Sequence, residues 1–517
     1  MKEKDLVIAV DIGSSNCKAA LINKSGQVLR VATKPISLIS PKQGWFEICP
    51  HKLWIDICFL IQTVTSNLQN RILTFGISVQ RNTFITWNKD TGEYLHNFIS
   101  WMDKRAANMC DDLNNSSFMN TFQWAAWVLG SLCGSHRMLC ASTFKSKCKT
   151  IPMRLRWILI NNKKAHKLLK NKKLCFGTLE TWLIWKLTKG RTWTTEFSCA
   201  SCTGIFDIWS LSWSSVMAYI FGIPIEIFPE VKPSNSNFGE IDKSLGLGFS
   251  APITGVLGDQ QASMFGNLLY HEGNTKLTLG TVISCNINTG NNTHPTSNSI
   301  YPLIGWKLEG QDPYFIAEFF ASNGGRAVEW TVTSGLVKNL NEIDALARNV
   351  PSTEGVTFVP AFNGMEVPQK DAQAETSLFG ITYRTKTNHI VRAVLESQAY
   401  LSCHVLDNIF QFYKKPCEIV VDGGTSRSLF VLESLSQISE FDLKKSESVD
   451  GSLIGAALVA GLGVGLYKSL EDIKSRVTLE FTQIKFNKNL TETQMLESRK
   501  KWYKSVEKCV NWSTILP

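Results

Sequence analysis

Residues 6–29, LVIAVDIGSSNCKAALINKSGQVL, carry the reading on which the fold turns. Leu6 to Val10 form an apolar strand pattern, Gly13 sits in a turn crowded with hydroxyls, Lys18 to Ile22 read as a second strand, and Ser25-Gly26 mark the next turn. The stretch predicts a β-hairpin with Asp11 at the end of its first strand, where an acid packs poorly and suits a site. Outward from it, PHKLWIDICFLIQTVTSNL has a helical pattern and ILTFGISV a strand pattern that runs into QRNTFITW. Strands alternating with helices predict an α/β layer fold.

A similar progression restarts near residue 253. ITGVLGDQQ places Asp259 and Gln260 at a strand end, and KLTLGTVISCNI repeats the strand, turn, strand pattern around Gly280-Thr281. The echo of VIAVDIGSS in TKLTLGTVIS suggests two related halves. NHIVRAVLESQAYLSCHVLDNIFQFY reads as a long helix whose apolar face is Val391, Val394, Leu395, Val405, Leu406, Ile409 and Phe410. A strand EIVVDGG and a small-residue helix SLIGAALVAGLGVGLYKSL follow. The glycines of GLGVGL fall inside a helical apolar pattern, not after a strand, so they read as close helix packing and not as a dinucleotide loop. Residues 114–150, rich in Asn, Ser and Cys, read as irregular.

A chain of 517 residues exceeds one ordinary core, which predicts two large domains. The 44% hydrophobic and 19% charged fractions are those of a globular protein and exclude a disordered or collagen-like class. No apolar run is long enough for a membrane span, and MKEKDLVIAV does not read as a signal peptide, so a cytoplasmic protein is expected. The 14 cysteines are scattered, several in apolar segments, as expected for reduced thiols; the Cys199–Cys202 CxxC has no second pair at zinc spacing. The net charge of +10 is concentrated partly in NNKKAHKLLKNKK, residues 161–173. Ala165, Leu168 and Leu169 have helical spacing there, so the run reads as a solvated helix face and nucleic acid is not an expected partner. The surplus favours anionic small molecules such as nucleotides. No GxSxG elbow, HExxH helix or paired CxxC cluster points to a hydrolase. His389 and His404 read as packing or surface positions.

Three glycine turns each follow an apolar strand: DIGSSNCK, LTLGTVIS and VDGGTSRS. Glycine lets a backbone approach a ligand, and N–H groups with hydroxyls bind phosphate oxygens. With Asp11 and Asp259 at strand ends, the set suits phosphoryl transfer, in which one carboxylate helps to hold Mg²⁺ and another deprotonates the attacking hydroxyl. Asp259 is the candidate base and Gln260 a candidate for positioning substrate hydroxyls.

The ordered segments DIGSSNCKAAL, GWFEICPHKLW, GISVQRNTFITW, NFISWMDKRA, FGTLETWLIWKLT, GVLGDQQASMFG, LGT, VPAFNG, FGITYRTKTNHIVRAVLES, VDGG and GAALVAGLGVG cover nearly the whole chain. Together they resemble the glycerol kinases of the FGGY carbohydrate kinase family, with QRNTFITW and HNFISW most like a divergent animal group within it. The resemblance implies two actin-like, ribonuclease-H-like ATPase domains around a central catalytic cleft, residues 1–266 and 267–517. It implies ATP and Mg²⁺, with Asp11 organising the metal together with Asp259, ligation being through water. Ser14, Ser15, Asn16 and Lys18 would approach the ATP phosphates, and Gly280 with Thr281 would hold phosphate from the second half. Gly325 and Glu329 would continue the nucleotide pocket, with Gly424 and Ser428 on its adenine side. Arg81, Asn82, Trp101, Asp259 and Gln260 would line the polyol pocket. The implied reaction is in-line transfer of the γ-phosphoryl group to glycerol.

The chain departs from that pattern at identifiable places. Asn82 stands where a glutamate is expected, and the expected pocket tyrosine is replaced near Lys149. Glu329 replaces a glutamine and Ser428 an asparagine, and Lys370 and Glu375 stand in a loop that elsewhere carries Trp and Arg. These changes leave open a kinase for another polyol or sugar, or a non-catalytic ATP-binding protein that uses closure as a switch. Composition leaves a homo-oligomer open as well.

Overall fold

The computed structural model describes residues 4–293, 300–321, 323–362, 364–371, 373–411, 413, 416, 418–448, 450–487 and 492–510, with the backbone alone for 492–496. The opening hairpin forms: strand Leu6–Ile12 pairs antiparallel with Asn16–Ile22, which puts Asp11 opposite Lys18. Asn16–Ile22 pairs in turn with Val28–Pro35. On the other side Leu6–Ile12 runs parallel to Ile72–Val79, and that strand runs parallel to Ile253–Gly258. The helix Pro50–Thr65 makes the crossover between the antiparallel and parallel parts, burying Leu53, Ile57, Leu60, Ile61 and Val64. Every residue of Leu6–Ile12 is buried, as a central strand covered on both faces requires.

The second sheet repeats this order. Asn274–Leu279 lies at its centre, antiparallel to Ile283–Gly290, which is antiparallel to Tyr314–Ala321. On the other side Asn274–Leu279 runs parallel to Glu418–Asp422, followed by Leu443–Ser446. Tyr301–Trp306 and Phe481–Ile484 are added at the two edges. Three antiparallel strands followed by two parallel ones, in both halves, turn the short sequence echo into a shared topology. The expected long helix spans Thr387–Phe410 and buries Val391, Val394, Leu395, Val405, Leu406 and Ile409.

The helix Gly451–Gly463 joins the halves. Its Leu453, Ala456, Ala457 and Ala460 pack on Val7, Ala9, Ala20 and Ile22 of the first sheet. A Cβ at Gly76, Gly255 or Gly455 would fall well inside contact with the backbone of Ala456, Ala460 or Ala262 respectively. The small residues of GAALVAGLG therefore serve close approach, in agreement with the packing reading.

One expectation fails. Within residues 114–150 the chain forms two helices, Ser117–Cys133 and His136–Ser142. Ser116 and Ser135 cap their N-termini by accepting the N–H groups of Met119 and Met138, and Gly134 ends the first helix at φ 64°. The periodic signal is absent because the buried stripe is only Met119, Ala126 and Gly130, while Trp124, Trp127 and Leu132 face outward. The basic run forms a helix, Lys163–Lys170, with Ala165 buried. Among the described residues no helix is long and apolar enough to cross a membrane.

Candidate active site

Asp11 lies where the two halves meet. Its carboxylate accepts the Ser78 hydroxyl at 2.7 Å from the neighbouring parallel strand and the Ser452 hydroxyl at 2.8 Å from the start of the joining helix. Burial pushes its carboxyl up to about 6, against both hydroxyls, and the charge of Asp259 adds to the rise. Seven positions along the hairpin, Lys18 donates to Asp450 at 2.8 Å, another bond from the first half to the second. Gly13 N–H bonds Asn16 O at 2.9 Å and closes the turn, which leaves Ser15 and Asn16 exposed.

Asp259 opens the helix Asp259–Gly266, directly after Gly258 ends its strand. Its Oδ1 accepts the Gln260 N–H at 2.8 Å and faces Arg81 Nε at 3.4 Å, and 26% of its side chain is exposed. Burial raises its carboxyl and Arg81 opposes the rise. The strand end is held from below. Ser198 Oγ accepts the Gly258 N–H at 3.0 Å, and the fully buried Glu196 accepts Ser198 Oγ at 2.5 Å, Ser198 N at 2.7 Å, Cys199 N at 3.1 Å and Ser234 Oγ at 2.6 Å.

Arg81 is gripped on three sides: by Asp259, by Glu318 Oε2 at 2.7 Å and by Cys202 Sγ at 3.6 Å. Burial alone would lower its pKa; the charge of Glu318 overrides this and holds it well above the usual value. Asn82 adopts φ 62°, and its Oδ1 is a buried acceptor without a partner among the described residues. The buried Arg154 donates Nη2 to Asn82 O at 2.8 Å and to Lys149 O at 3.0 Å, so those two backbones are pinned side by side. Lys149 itself reaches Glu366 at 2.9 Å. Trp101 donates its indole N–H to Ser14 Oγ at 3.0 Å, which ties the expected polyol wall to the expected phosphate turn. Gln260 Oε1 accepts Lys276 Nζ at 2.9 Å from the second sheet, so its amide carbonyl faces that sheet.

On the nucleotide side two of the three turns, those at Gly280 and Gly423, come together with the Gly325 segment. Gly325 N–H bonds Gly280 O at 2.7 Å. A Cβ at Gly325 would meet Thr425 Oγ1 at 3.0 Å, and one at Gly423 would meet the Leu279 backbone at 2.7 Å, whereas Gly424 has open space beside it. Thr281 and Glu329 are exposed. Ser428 is turned inward: its hydroxyl donates to Asp344 and accepts the Val431 N–H at 3.2 Å, capping a helix. The residues that sequence reasoning did not single out are Ser78, Ser452 and Asp450, which hold the hairpin acid and lysine, and Glu318, Lys276 and Asp422. Asp422 had a signal in the VDGG turn; its Oδ1 is buried without a partner among the described residues. The others come from distant segments and carry none.

Two acids at strand ends, a cation between facing sheets and glycine turns on the far side are an arrangement that suits phosphoryl transfer. The chain belongs to the FGGY family of carbohydrate kinases: the model of the family's N-terminal domain matches residues 6–266 and that of its C-terminal domain residues 276–464. It is thus a phosphotransferase with an alcohol acceptor, and a kinase family implies ATP as donor. Among its relatives, glycerol kinase 5 of Homo sapiens is 36% identical over 98% of this chain and 96% of that protein. Glycerol kinase of Parabacteroides distasonis is 32% identical over 98% of each chain. The crystal structure of Plasmodium falciparum glycerol kinase with ADP superposes with a TM-score of 0.88 at 26% identity, covering 98% of both chains. Gluconate kinase from Lactobacillus acidophilus, 20% identical with a TM-score of 0.81 over 97% of both chains, shares the fold.

Proposed function

We propose that the chain transfers the γ-phosphoryl group of ATP to glycerol, forming sn-glycerol 3-phosphate, with Asp259 as the general base. The observation that carries this reading is Asp259 itself: a carboxylate at the meeting point of the halves, 26% of its side chain exposed, held by Arg81 at 3.4 Å and near enough to Asp11 for its charge to raise that carboxyl. The likeness to glycerol kinases over 98% of the chain supports glycerol as acceptor.

In this reading Arg81 and the Asn82 carbonyl orient the polyol, Asn82 Oδ1 taking a hydroxyl proton in a hydrogen bond. Asp259 accepts the proton of the primary hydroxyl as its oxygen attacks. Lys18, Ser14, Ser15 and Asn16 steady the phosphates from one side, Gly280 and Thr281 from the other, and the Gly325 and Gly424 turns receive the rest of the nucleotide. The two carboxylates Asp11 and Asp259 are a hard oxygen donor set that fits Mg²⁺, which would neutralise phosphate charge when bound. The test is ADP release with Mg-ATP against glycerol, dihydroxyacetone, erythritol, ribitol and xylulose. Glycerol-dependent release supports the proposal, release with another member alone relocates the substrate, and ATP binding with no release across the panel refutes a kinase role. The neutral Asn82 amide is the observation that keeps other polyols in the panel.

A further inference from the structure

A polar row crosses the second sheet on the side facing the first half. Lys276 pairs with Asn286 across the first two strands, and Asn286 pairs with Glu318 across the next two. Three polar residues directly opposite one another and 0–7% exposed are a costly way to build a sheet interior unless each has a partner. Lys276 has Thr278 at 2.8 Å and Asp422 at 3.5 Å within its own half, but all three residues also reach the other half of the molecule. Lys276 Nζ donates to Gln260 Oε1 at 2.9 Å, Asn286 Nδ2 lies 3.4 Å from the same oxygen, and Glu318 accepts Arg81 Nη2 at 2.7 Å. The row therefore touches two residues of the proposed polyol pocket and belongs wholly to the segment matched as the C-terminal domain.

We propose that Glu318, backed by Lys276 and Asn286, is the positioning residue by which the C-terminal half aims Arg81 at the polyol and couples closure of the halves to polyol binding. The inference rests on the reading of Arg81, Asp259 and Gln260 as the acceptor pocket. Of the anionic partners of Arg81, Glu318 holds the short bond and Asp259 the longer contact of 3.4 Å. Without Glu318 the guanidinium has one carboxylate left, and pairing with it would draw Asp259 away from the hydroxyl it must serve. A bond between the halves exists only while they are together, so the grip on Arg81 depends on closure. Ligand binding that favours the closed arrangement at one end then strengthens binding at the other, reciprocally.

The experiment compares wild type with Glu318→Gln, Glu318→Asp and Asn286→Ala. It reads kcat and KM for glycerol, and by calorimetry the glycerol affinity with and without a non-hydrolysable ATP analogue. Glu318→Gln should raise KM for glycerol about tenfold while kcat changes less than about threefold, and the tightening of glycerol by the analogue should fall toward none. Glu318→Asp, which keeps the charge, should lie between the two. An unchanged KM with unchanged coupling overturns the proposal, and so does a loss confined to kcat. Removing one partner of a buried pair strains folding; if Glu318→Gln does not melt as a folded protein, Glu318→Asp and Asn286→Ala carry the same readouts. A wild type that binds glycerol without turning it over refutes the kinase reading while the coupling measurement still decides this one. A wild type that binds no polyol of the panel overturns both.

Discussion

Replacing Glu196 with Gln should remove a pH dependence of stability that the wild type carries. Glu196 is fully buried and its carboxyl is pushed up from 4.5 to about 7, burial outweighing the four hydrogen bonds it accepts. A carboxyl raised on folding binds its proton more tightly in the native state. Its favourable contribution is therefore complete below about 4.5 and is lost as the pH rises through about 7. A rise of that size corresponds to about 3 kcal/mol between the two limits. The assay is equilibrium urea unfolding of wild type and Glu196→Gln at pH 5 and pH 8.5. Gln keeps the shape and one acceptor but never ionises, so its stability relative to wild type should improve by about 2.5 kcal/mol from the acid to the alkaline condition, part of the contribution being lost already at pH 5. A difference between the two proteins that stays constant with pH refutes the reasoning. The result bears on function because Glu196 holds Ser198, and Ser198 Oγ holds the Gly258 N–H immediately before Asp259.

Other perturbations separate binding from folding. Lys18→Ala should raise KM for ATP about tenfold, with a smaller effect on KM for glycerol, in steady-state kinetics. Trp101→Phe removes the indole bond to Ser14 and should weaken substrate binding by about 0.5–1.5 kcal/mol, measured as KM for both substrates. Gly455→Val should destabilise by more than the 1–3 kcal/mol usual for overpacking, read as a lowered melting temperature, because the new Cβ meets the Ala262 backbone and not a flexible side chain.

Much of the fold is legible wherever a local pattern decides it. The opening hairpin, the strand before Asp259 and the repeat at Gly280 show as short apolar runs bounded by turns, because those strands are buried on both faces, and the buried face of Thr387–Phe410 shows as a period of 3.6. The helix Ser117–Cys133 was illegible because Trp124, Trp127 and Leu132 face outward and the buried stripe is narrow. The same division holds in the site. Asp11 and Asp259 stand out as acids at strand ends, and the glycine turns as backbone that must come close to something. Gln260 stands out as a polar residue at a strand end, but the direction of its carbonyl does not, since that depends on Lys276 in the second sheet. Glu318 is one acid in an apolar strand, YFIAEFFA, and only the cross-half bond to Arg81 gives it meaning.

The most direct test of the account is phosphoryl transfer from γ-labelled ATP to glycerol by the wild type and by Asp259→Asn, with ATP binding measured on both. Removing the proposed base while keeping its shape should lower kcat at least about a hundredfold and leave ATP affinity within a few-fold of wild type. Transfer to glycerol at the wild-type rate by Asp259→Asn would contradict the account at its centre.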